Sequence, residues 1–288
     1  MALPVPRRTL WITFAWFALL VLVCYAPVLK VMVGQWNSDP DVGHGFFVPP
    51  ISAFIVWQRR EELLAVKSRP CWWGLLLVVL GGALLIAATM GVELFVARVA
   101  LVVTLTGIVW LLAGTAVLKK LTFPLFLLLF MIPIPQVAYN RITFPLQLLA
   151  SKLAGNALSV LGVPVLREGN ILELPNQRLS VVEACSGIRS LLSLTFLSLV
   201  YGYFFEKKRW IRTVLFFSTI PIAIIANASR VTFTGIASGV SPDLAEGIFH
   251  ESTGWVIFMV AMLFLIVLHQ LIRRVLKFLP ATAPAAQK

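Results

Sequence analysis

Uncharged stretches of about 20 residues recur along the chain, the length of helix that crosses a hydrocarbon core roughly 30 Å thick. Only 12% of the 288 residues are charged and 59% are hydrophobic. A soluble domain carries about twice that share of charge. The sequence therefore predicts an all-α polytopic integral membrane protein and excludes both an ordinary soluble enzyme and a disordered chain.

Eight runs are interpreted as membrane spans. The run Gly45–Gln58 is short, and its Pro49-Pro50 pair would kink it or start a second half. The first run exceeds the apolar core of a secretory signal, about 7–15 residues, so we expect it to remain as a helix. The eight predicted spans are Trp11–Leu29, Gly45–Gln58, Cys71–Val92, Val99–Leu118, Leu121–Asn140, Cys185–Phe205, Thr213–Ser229 and Ser252–Ile272.

Two segments between these spans have other patterns. Ile142–Leu166 is amphipathic and interrupted by prolines, which predicts a helix that lies at the membrane interface or re-enters the membrane. The alternating residues of Asn170–Leu174 and Arg178–Glu183 predict a small external hairpin. We expect residues 1–280 to form a single transmembrane catalytic domain, and residues 281–288 to form a short cytoplasmic tail.

The net charge of +12 has a sided distribution. Two-thirds of the 24 Lys and Arg residues fall on alternate loops or at the termini, and the intervening loops are slightly acidic. Short loops rich in Lys and Arg stay in the cytoplasm. The pattern predicts cytoplasmic N- and C-termini, and the basic excess therefore requires no nucleic-acid partner.

Cys185 is the candidate nucleophile. It opens a predicted span on the external side, where a helix N-terminus, capped by Ser186 or Ser180, stabilises a thiolate. Arg189 lies one turn further on the same face and adds positive potential. On position alone, the alternative that Cys185 is a small buried side chain stays open, and that interpretation suits Cys24 and Cys71.

Two further polar positions lie at external span ends. Asn227 and Arg230 are three residues apart, so they would offer an amide and a guanidinium on one helical face. His250 opens the last predicted span, and position 254 is glycine rather than the second histidine of a metalloprotease helix. No Cys/His cluster has zinc spacing, so we expect neither a metal nor a cofactor. A thiol, an imidazole and a nearby cation suit acyl transfer.

These residues stand in strings that resemble the exosortase family of membrane-embedded cysteine transpeptidases. The resemblance rests on Glu183 to Leu191 (EACSGIRSL), Asn227 to Arg230 (NASR), His250, and the stretch Asp41 to Pro50 (DVGHGFFVPP), which includes His44. It implies that Cys185 is the nucleophile, His250 the general base and acid, and Arg230 the stabiliser of the oxyanion. Five residues are supporting candidates: Asn227, Arg189, Ser186, Glu183 and His44.

The resemblance also implies the substrates and the cellular location. The substrates would be exported proteins with a C-terminal Pro-Glu-Pro motif, one transmembrane helix and a basic tail. Cleavage would leave an acyl-enzyme that is resolved by transfer to an unidentified surface acceptor. The protein would lie in the bacterial inner membrane with its active site at the periplasmic face. Any role of the soluble domain that some members carry would need a separate periplasmic partner.

Two other functions remain open from the sequence. The external polar residues could form the gate of a membrane transporter, although the span centres are nearly free of charge. Alternatively, the chain could be a non-catalytic component of exopolysaccharide export, if Cys185 is chemically inert.

Overall fold

The computed structural model describes residues 7–91, 93–175, 177–181, 188–240 and 247–278. These residues are mostly helical and form two compact units, Met1–Gln136 and Val137–Lys288. The prediction of an all-α polytopic membrane protein is confirmed. The predicted tail 281–288 lies outside the described residues.

The described helices include five that are long and apolar enough to cross a membrane, or six if one broken pair counts as a single span. A shorter apolar helix, Arg189–Phe205, is additional, so the predicted count of eight is not confirmed. The five are Ile12–Ser38, Trp73–Met90, Leu94–Ala113, Arg209–Gly239 and Gly254–Lys277, and the broken pair is Thr115–Met131 with Gln136–Val160.

Unit one contains six α-helices and two 3-10 turns among its described residues. The α-helices are α1 (Arg7–Ser38), α2 (Val48–Gln58), α3 (Arg60–Ala65), α4 (Trp73–Met90), α5 (Leu94–Ala113) and α6 (Thr115–Leu127), and the 3-10 turns cover Gly43–Phe47 and Leu128–Met131. Pro49 and Pro50 lie in the first turn of α2, where a missing N–H costs no helical hydrogen bond. At about 1.5 Å per residue, the 11 residues of α2 are too short for the span predicted over Gly45–Gln58.

Helices α4 and α5 pack closely because glycines line their contact. A Cβ built on Gly81 would lie 2.1 Å from Oγ1 of Thr104, and one built on Gly107 would lie 2.8 Å from the backbone nitrogen of Val78. Gly82, the next residue along α4, faces open space. The glycines at 81 and 107 therefore serve helix packing within unit one, as small residues commonly do between membrane helices.

Polar side chains also connect helices of unit one. The hydroxyls of Tyr25 and Thr104 lie 2.8 Å apart, and Arg98 donates to Oε1 of Gln35 at 2.5 Å. Arg98 is buried, and such a cation in a span is stable only where polar groups surround it. These contacts attach α1 to α5.

Unit two begins with a long helix after a proline break. The prediction carried one span to Asn140, but the helical segment ends at Met131 and a new helix, α7 (Gln136–Val160), runs through that position. Pro133 and Pro135 account for the difference, because proline removes a backbone donor and restricts the residue before it.

A three-stranded antiparallel sheet follows α7. Its strands are β1 (Leu166–Glu168), β2 (Ile171–Glu173) and β3 (Arg178–Ser180), in the order β1-β2-β3. The predicted hairpin is confirmed in β2 and β3. Strand β1 is an addition that the sequence pattern did not indicate.

Three more helices of unit two lie among its described residues: α8 (Ile188–Phe205), α9 (Arg209–Val240) and α10 (Gly247–Phe278). Leu194 of α8, Ala223 and Ala226 of α9, and Ala261 of α10 are buried together in one cluster. A second cluster joins Ile211, Leu215 and Leu265, nearer the other end of α10. Helices α8, α9 and α10 therefore pack together along much of their length.

Candidate functional site

The predicted site residues are unevenly covered by the structure. Glu183, Cys185 and Ser186 lie outside the described residues. His250 is a helical residue in the first turn of α10, and its backbone alone is described. Side chains are described for Arg230, Asn227, Arg189 and His44.

Arg230 lies far along helix α9 from the first residue of that helix. This residue lies 21 positions after Arg209, the first residue of α9, which corresponds to about 32 Å at 1.5 Å per residue. A hydrocarbon core is roughly 30 Å thick. The segment between the two arginines is therefore long enough for one membrane crossing, and it lies within the apolar helical stretch Arg209–Gly239.

The guanidinium of Arg230 lies against helix α10. A Cβ built on Gly254 would come within 3.1 Å of Cζ and 3.2 Å of Nη2 of Arg230. Any side chain at position 254 would push the guanidinium away. Gly254 follows His250 by four residues, about one helical turn. The structure thus brings Arg230 next to the turn of α10 that carries His250.

Asn227 lies one turn before Arg230 and is buried, with 6% of its surface exposed. It is the polar residue in the lining of a small cleft between α7, α8 and α9. The cleft is lined by Leu146, Leu191, Ile220, Ala223, Ile224 and Asn227. Leu191 follows Cys185 by six residues in the sequence. The cleft is otherwise apolar.

The three-stranded sheet is fixed to the Arg230 end of α9. Leu172, Leu179 and Val181 of the sheet segment are buried with Val231, the residue after Arg230. Residues of α7 complete this cluster, and Leu158 also contacts Gly235, one turn further along α9. Because a sheet edge cannot face hydrocarbon, this packing also indicates that the Arg230 end lies outside the membrane core.

The remaining described candidates lie elsewhere. Arg189 is exposed in the first turn of α8. His44 belongs to unit one, in the Gly43–Phe47 turn, where Nε2 lies 3.1 Å from the carbonyl oxygen of Phe130. Burial lowers the pKa of His44, against the opposing effect of hydrogen bonds to the Phe130 and Asp41 backbone. A supporting role for either residue stays a prediction.

A second polar cluster, which the sequence pattern does not indicate, lies at the opposite end of unit two. His269 of α10 is buried, with Nδ1 2.9 Å from the hydroxyl of Tyr201 and Nε2 3.0 Å from Oε2 of Glu206. Glu206 stands between α8 and α9, and its Oε1 accepts a hydrogen bond from the backbone N–H of Lys208 at 2.7 Å. In the sequence, the one indication of this cluster is a histidine within an apolar run. Such a residue is typical of a functional or structural site, but the sequence does not show which residue it contacts.

Contacts within this second cluster change the pKa of Glu206 and bring basic residues close to it. Burial disfavours its carboxylate, but the hydrogen bonds from Lys208 and His269 lower the pKa of Glu206 below its ordinary value. Arg212 donates to the backbone oxygen of Glu206 at 2.7 Å. The basic stretch 207–212 and the basic turns after His269 therefore share one end of unit two. In the part of the chain that the structure describes, no three His, Cys, Asp or Glu side chains group to hold a metal ion.

Comparison with known protein families matches residues 36–267 to the family described as Transmembrane exosortase. The match covers most of the chain, so the fold and this match define a membrane exosortase-type protein. The chain belongs to the transmembrane exosortase family. No curated protein matched the chain, and no solved structure did.

Proposed function

We propose that this protein is a cysteine transpeptidase that cleaves C-terminal Pro-Glu-Pro sorting signals of exported proteins through an acyl-enzyme on Cys185. The observation that carries the proposal is the contact between the Arg230 guanidinium and α10 at Gly254, one turn from His250. Family membership supports the same chemistry class. Two of the three proposed catalytic residues thus belong to neighbouring helix turns, and the third opens the segment that leads into α8.

In the proposed reaction, His250 accepts the thiol proton as the sulfur of Cys185 attacks the scissile carbonyl carbon. The guanidinium of Arg230 stabilises the oxyanion of the tetrahedral intermediate. The C–N bond then breaks, and the imidazolium returns the proton to the leaving amine, which leaves a thioester. An acceptor nucleophile at the surface attacks the thioester, gives its proton to His250, and releases Cys185 as thiolate or thiol.

The proposed location is the bacterial inner membrane, with the Arg230 end of unit two in the periplasm. Contacts of Glu206 with Lys208, Arg212 and His269 bring two basic segments to the other end of that unit. Lys- and Arg-rich ends stay in the cytoplasm. In this orientation the C-terminus is cytoplasmic, and the substrate's own basic tail would lie on the same side. A separate periplasmic accessory protein remains part of the proposal.

The proposal is tested by co-expressing the full-length protein with an exported substrate that ends in a Pro-Glu-Pro motif, a transmembrane helix and a basic tail. Cys185→Ala should abolish processing. Cys24→Ala and Cys71→Ala are matched controls that remove the other two thiols, and both should process fully. Complete processing by Cys185→Ala, with normal amounts of protein in the membrane, would end the proposal.

Mass spectrometry gives an independent test of the acyl-enzyme. The wild-type protein, quenched in acid during turnover, should carry the substrate fragment as a thioester on the peptide that contains Cys185. His250→Gln should slow formation of this adduct, because the thiol then loses its general base. An adduct found on any other residue would overturn the assigned nucleophile.

A further inference from the structure

Strand β3 has an open edge whose geometry follows from the strand register. Leu172 lies opposite Leu179, and hydrogen bonds join Leu174 to Gln177 and Val181 to Asn170. In an antiparallel ladder, hydrogen-bonded pairs alternate with non-bonded pairs. Leu179 therefore directs its backbone N–H and C=O toward β2. Arg178 and Ser180 direct theirs away from the sheet.

This edge is accessible within the described part of the chain. Strand β3 is the last strand of the sheet, and it pairs with β2 on one side. The side chain of Arg178 is 73% exposed, and it forms an ion pair through Nε and Nη2 with Oε1 of Glu173. The open edge of the strand thus presents two N–H donors and two carbonyl acceptors, and the exposed Arg178, paired with Glu173 on β2, lies beside them.

The side chain of Leu179, on the face of β3 opposite Arg178, packs against helix α9. Leu179 is buried against Val231, which follows Arg230 on α9. The edge therefore has a fixed position relative to the Arg230 end of that helix. Ser180 also precedes Cys185 by only five residues, a separation of at most about 18 Å even in fully extended chain.

We propose that the open edge of β3 binds the extended segment of the protein substrate by strand addition, with an acidic side chain of that segment opposite Arg178. This inference rests on the proposed function, and it assigns the binding site for the peptide on the N-terminal side of the substrate helix. Strand addition supplies affinity through main-chain hydrogen bonds and selectivity through alternate side chains. A cross-strand pair of opposite charge adds to both.

A Pro-Glu-Pro segment has the backbone pattern that such an edge accepts. Proline has no N–H to donate, and it is tolerated in strands where that position faces away from the partner. In an extended chain, the backbone nitrogens of two prolines separated by one residue face the same side, because the period of a strand is two. The intervening glutamate then directs its N–H and C=O to the edge of β3 and lies directly opposite Arg178.

The first test compares two proline substitutions in the full-length protein reconstituted in vesicles. Ser180→Pro removes a donor that points outward and leaves the ladder with β2 intact. Arg167→Pro is the matched control, because the register of β1 with β2 makes its N–H point outward on the opposite edge. We expect Ser180→Pro to raise the apparent KM roughly tenfold, as the loss of one or two hydrogen bonds implies. Arg167→Pro should stay within about twofold of wild type on the same grounds. Equal effects of the two substitutions would overturn the inference.

A second test uses the wild-type protein and varies the substrate. A single backbone N-methyl group is placed, in separate substrates, at each residue other than proline around the cleavage segment. Strand addition predicts that the cleavage rate falls when the methyl group is on a residue whose N–H points toward β3, and that it is unchanged when the N–H points away. Uniform tolerance, or a loss without this period, would exclude strand addition.

The charge pair is tested by crossing Arg178 variants with substrate variants. A Glu→Gln change in the substrate motif should raise the apparent KM for wild type but not for Arg178→Ala, and Arg178→Lys should restore part of the preference. If Arg178→Ala discriminated between the glutamate and glutamine substrates as strongly as wild type does, the pairing would be contradicted.

Labelling of Cys185 by a small alkylating reagent distinguishes failure of substrate binding at β3 from failure of the proposed function. We expect Ser180→Pro and Arg178→Ala, which affect only substrate binding, to be labelled at the wild-type rate. If the proposed function itself is wrong, the wild-type protein will form no acyl-enzyme on Cys185.

Discussion

The guanidinium of Arg230 rests on Gly254, so closely that a Cβ at position 254 would meet Cζ at 3.1 Å. The glycine lets a cation from α9 approach the backbone of α10 one turn from His250. This contact explains why a small residue stands at a position that would otherwise suit a helix-forming side chain. It also determines where the guanidinium lies, and the proposed reaction assigns that group to the oxyanion.

Enlarging Gly254 should therefore reduce catalysis more than stability. Gly254→Leu displaces the guanidinium, and we expect kcat to fall about 100-fold, the effect of losing one oxyanion donor. Gly254→Ala requires a shift of only tenths of an ångström, so its kcat should lie between those of Gly254→Leu and wild type. The measurement is single-turnover cleavage of the substrate peptide in vesicles.

Gly239 on α9 provides the control for that prediction. A Cβ at Gly239 meets nothing within 4 Å, so Gly239→Leu should cleave at the wild-type rate. Wild-type turnover by Gly254→Leu, with an unchanged Tm, would show that the position of Arg230 does not matter for the reaction.

Adjacent glycines in α4 should respond oppositely to the same substitution. Gly81→Ala places a methyl group against Oγ1 of Thr104, and overpacking of this kind costs about 1–3 kcal/mol. Gly82→Ala faces open space, so its Tm should equal or slightly exceed that of wild type. Thermal unfolding in detergent measures both. A Tm for Gly81→Ala at or above that of Gly82→Ala would contradict the α4–α5 packing.

Glu206 should stabilise the protein in a pH-dependent way. Its pKa is lowered in the folded state, so the carboxylate contributes stability above the unfolded value of about 4.5 and loses it as the pH falls through the folded value. Glu206→Gln should cost about 2 kcal/mol at pH 7 because it weakens charge-assisted hydrogen bonds. The difference in Tm between this variant and wild type should shrink below about pH 4.5.

Glu62 is the matched control for Glu206. It pairs with Lys120 at 3.5 Å, but its side chain is 60% exposed. Exposed pairs contribute little, so Glu62→Gln should leave the Tm nearly unchanged at every pH. Equal losses in the two variants would show that burial of the Glu206–His269 pair adds nothing.

His44 should make unit one less stable in mild acid. Burial lowers its pKa in the folded state, so the unfolded chain binds a proton below about pH 6.5 that the folded chain does not. Stability is therefore full above that pH and falls as the pH decreases toward the folded value. His44→Gln should reduce the drop in Tm between pH 7.5 and pH 5.5. An identical drop in the variant would assign the acid sensitivity to other groups.

Much of the fold follows from the distribution of apolar residues. The run Cys71–Val92 predicted α4 within two residues at each end, because length and apolarity decide whether a segment can cross a membrane. Helix α5 begins and ends five residues before the predicted Val99–Leu118, because it includes the buried Arg98. Prolines were harder to interpret. Pro49 and Pro50 start α2, whereas Pro145 lies within α7, and the sequence pattern does not distinguish these uses.

The candidate site was only partly accessible to sequence reasoning. Helical spacing put Asn227 and Arg230 on one face, and that relation depends on local geometry alone. The contact of Arg230 with Gly254 and the pairing of Glu206 with His269 join residues 24 and 63 positions apart. Periodicity identifies the buried face of a helix but not the residue it meets, so neither contact could be predicted.

The separation of Arg209 and Arg230 along α9 has a consequence for the lipid environment. In the proposed orientation these two charges lie at the limits of one crossing, so a bilayer of different thickness would force the helix to tilt or the lipid to deform. Tilting α9 moves Arg230 together with the sheet that is packed on Val231. The length of the acyl chains around the protein thereby becomes a determinant of how peptide and guanidinium meet.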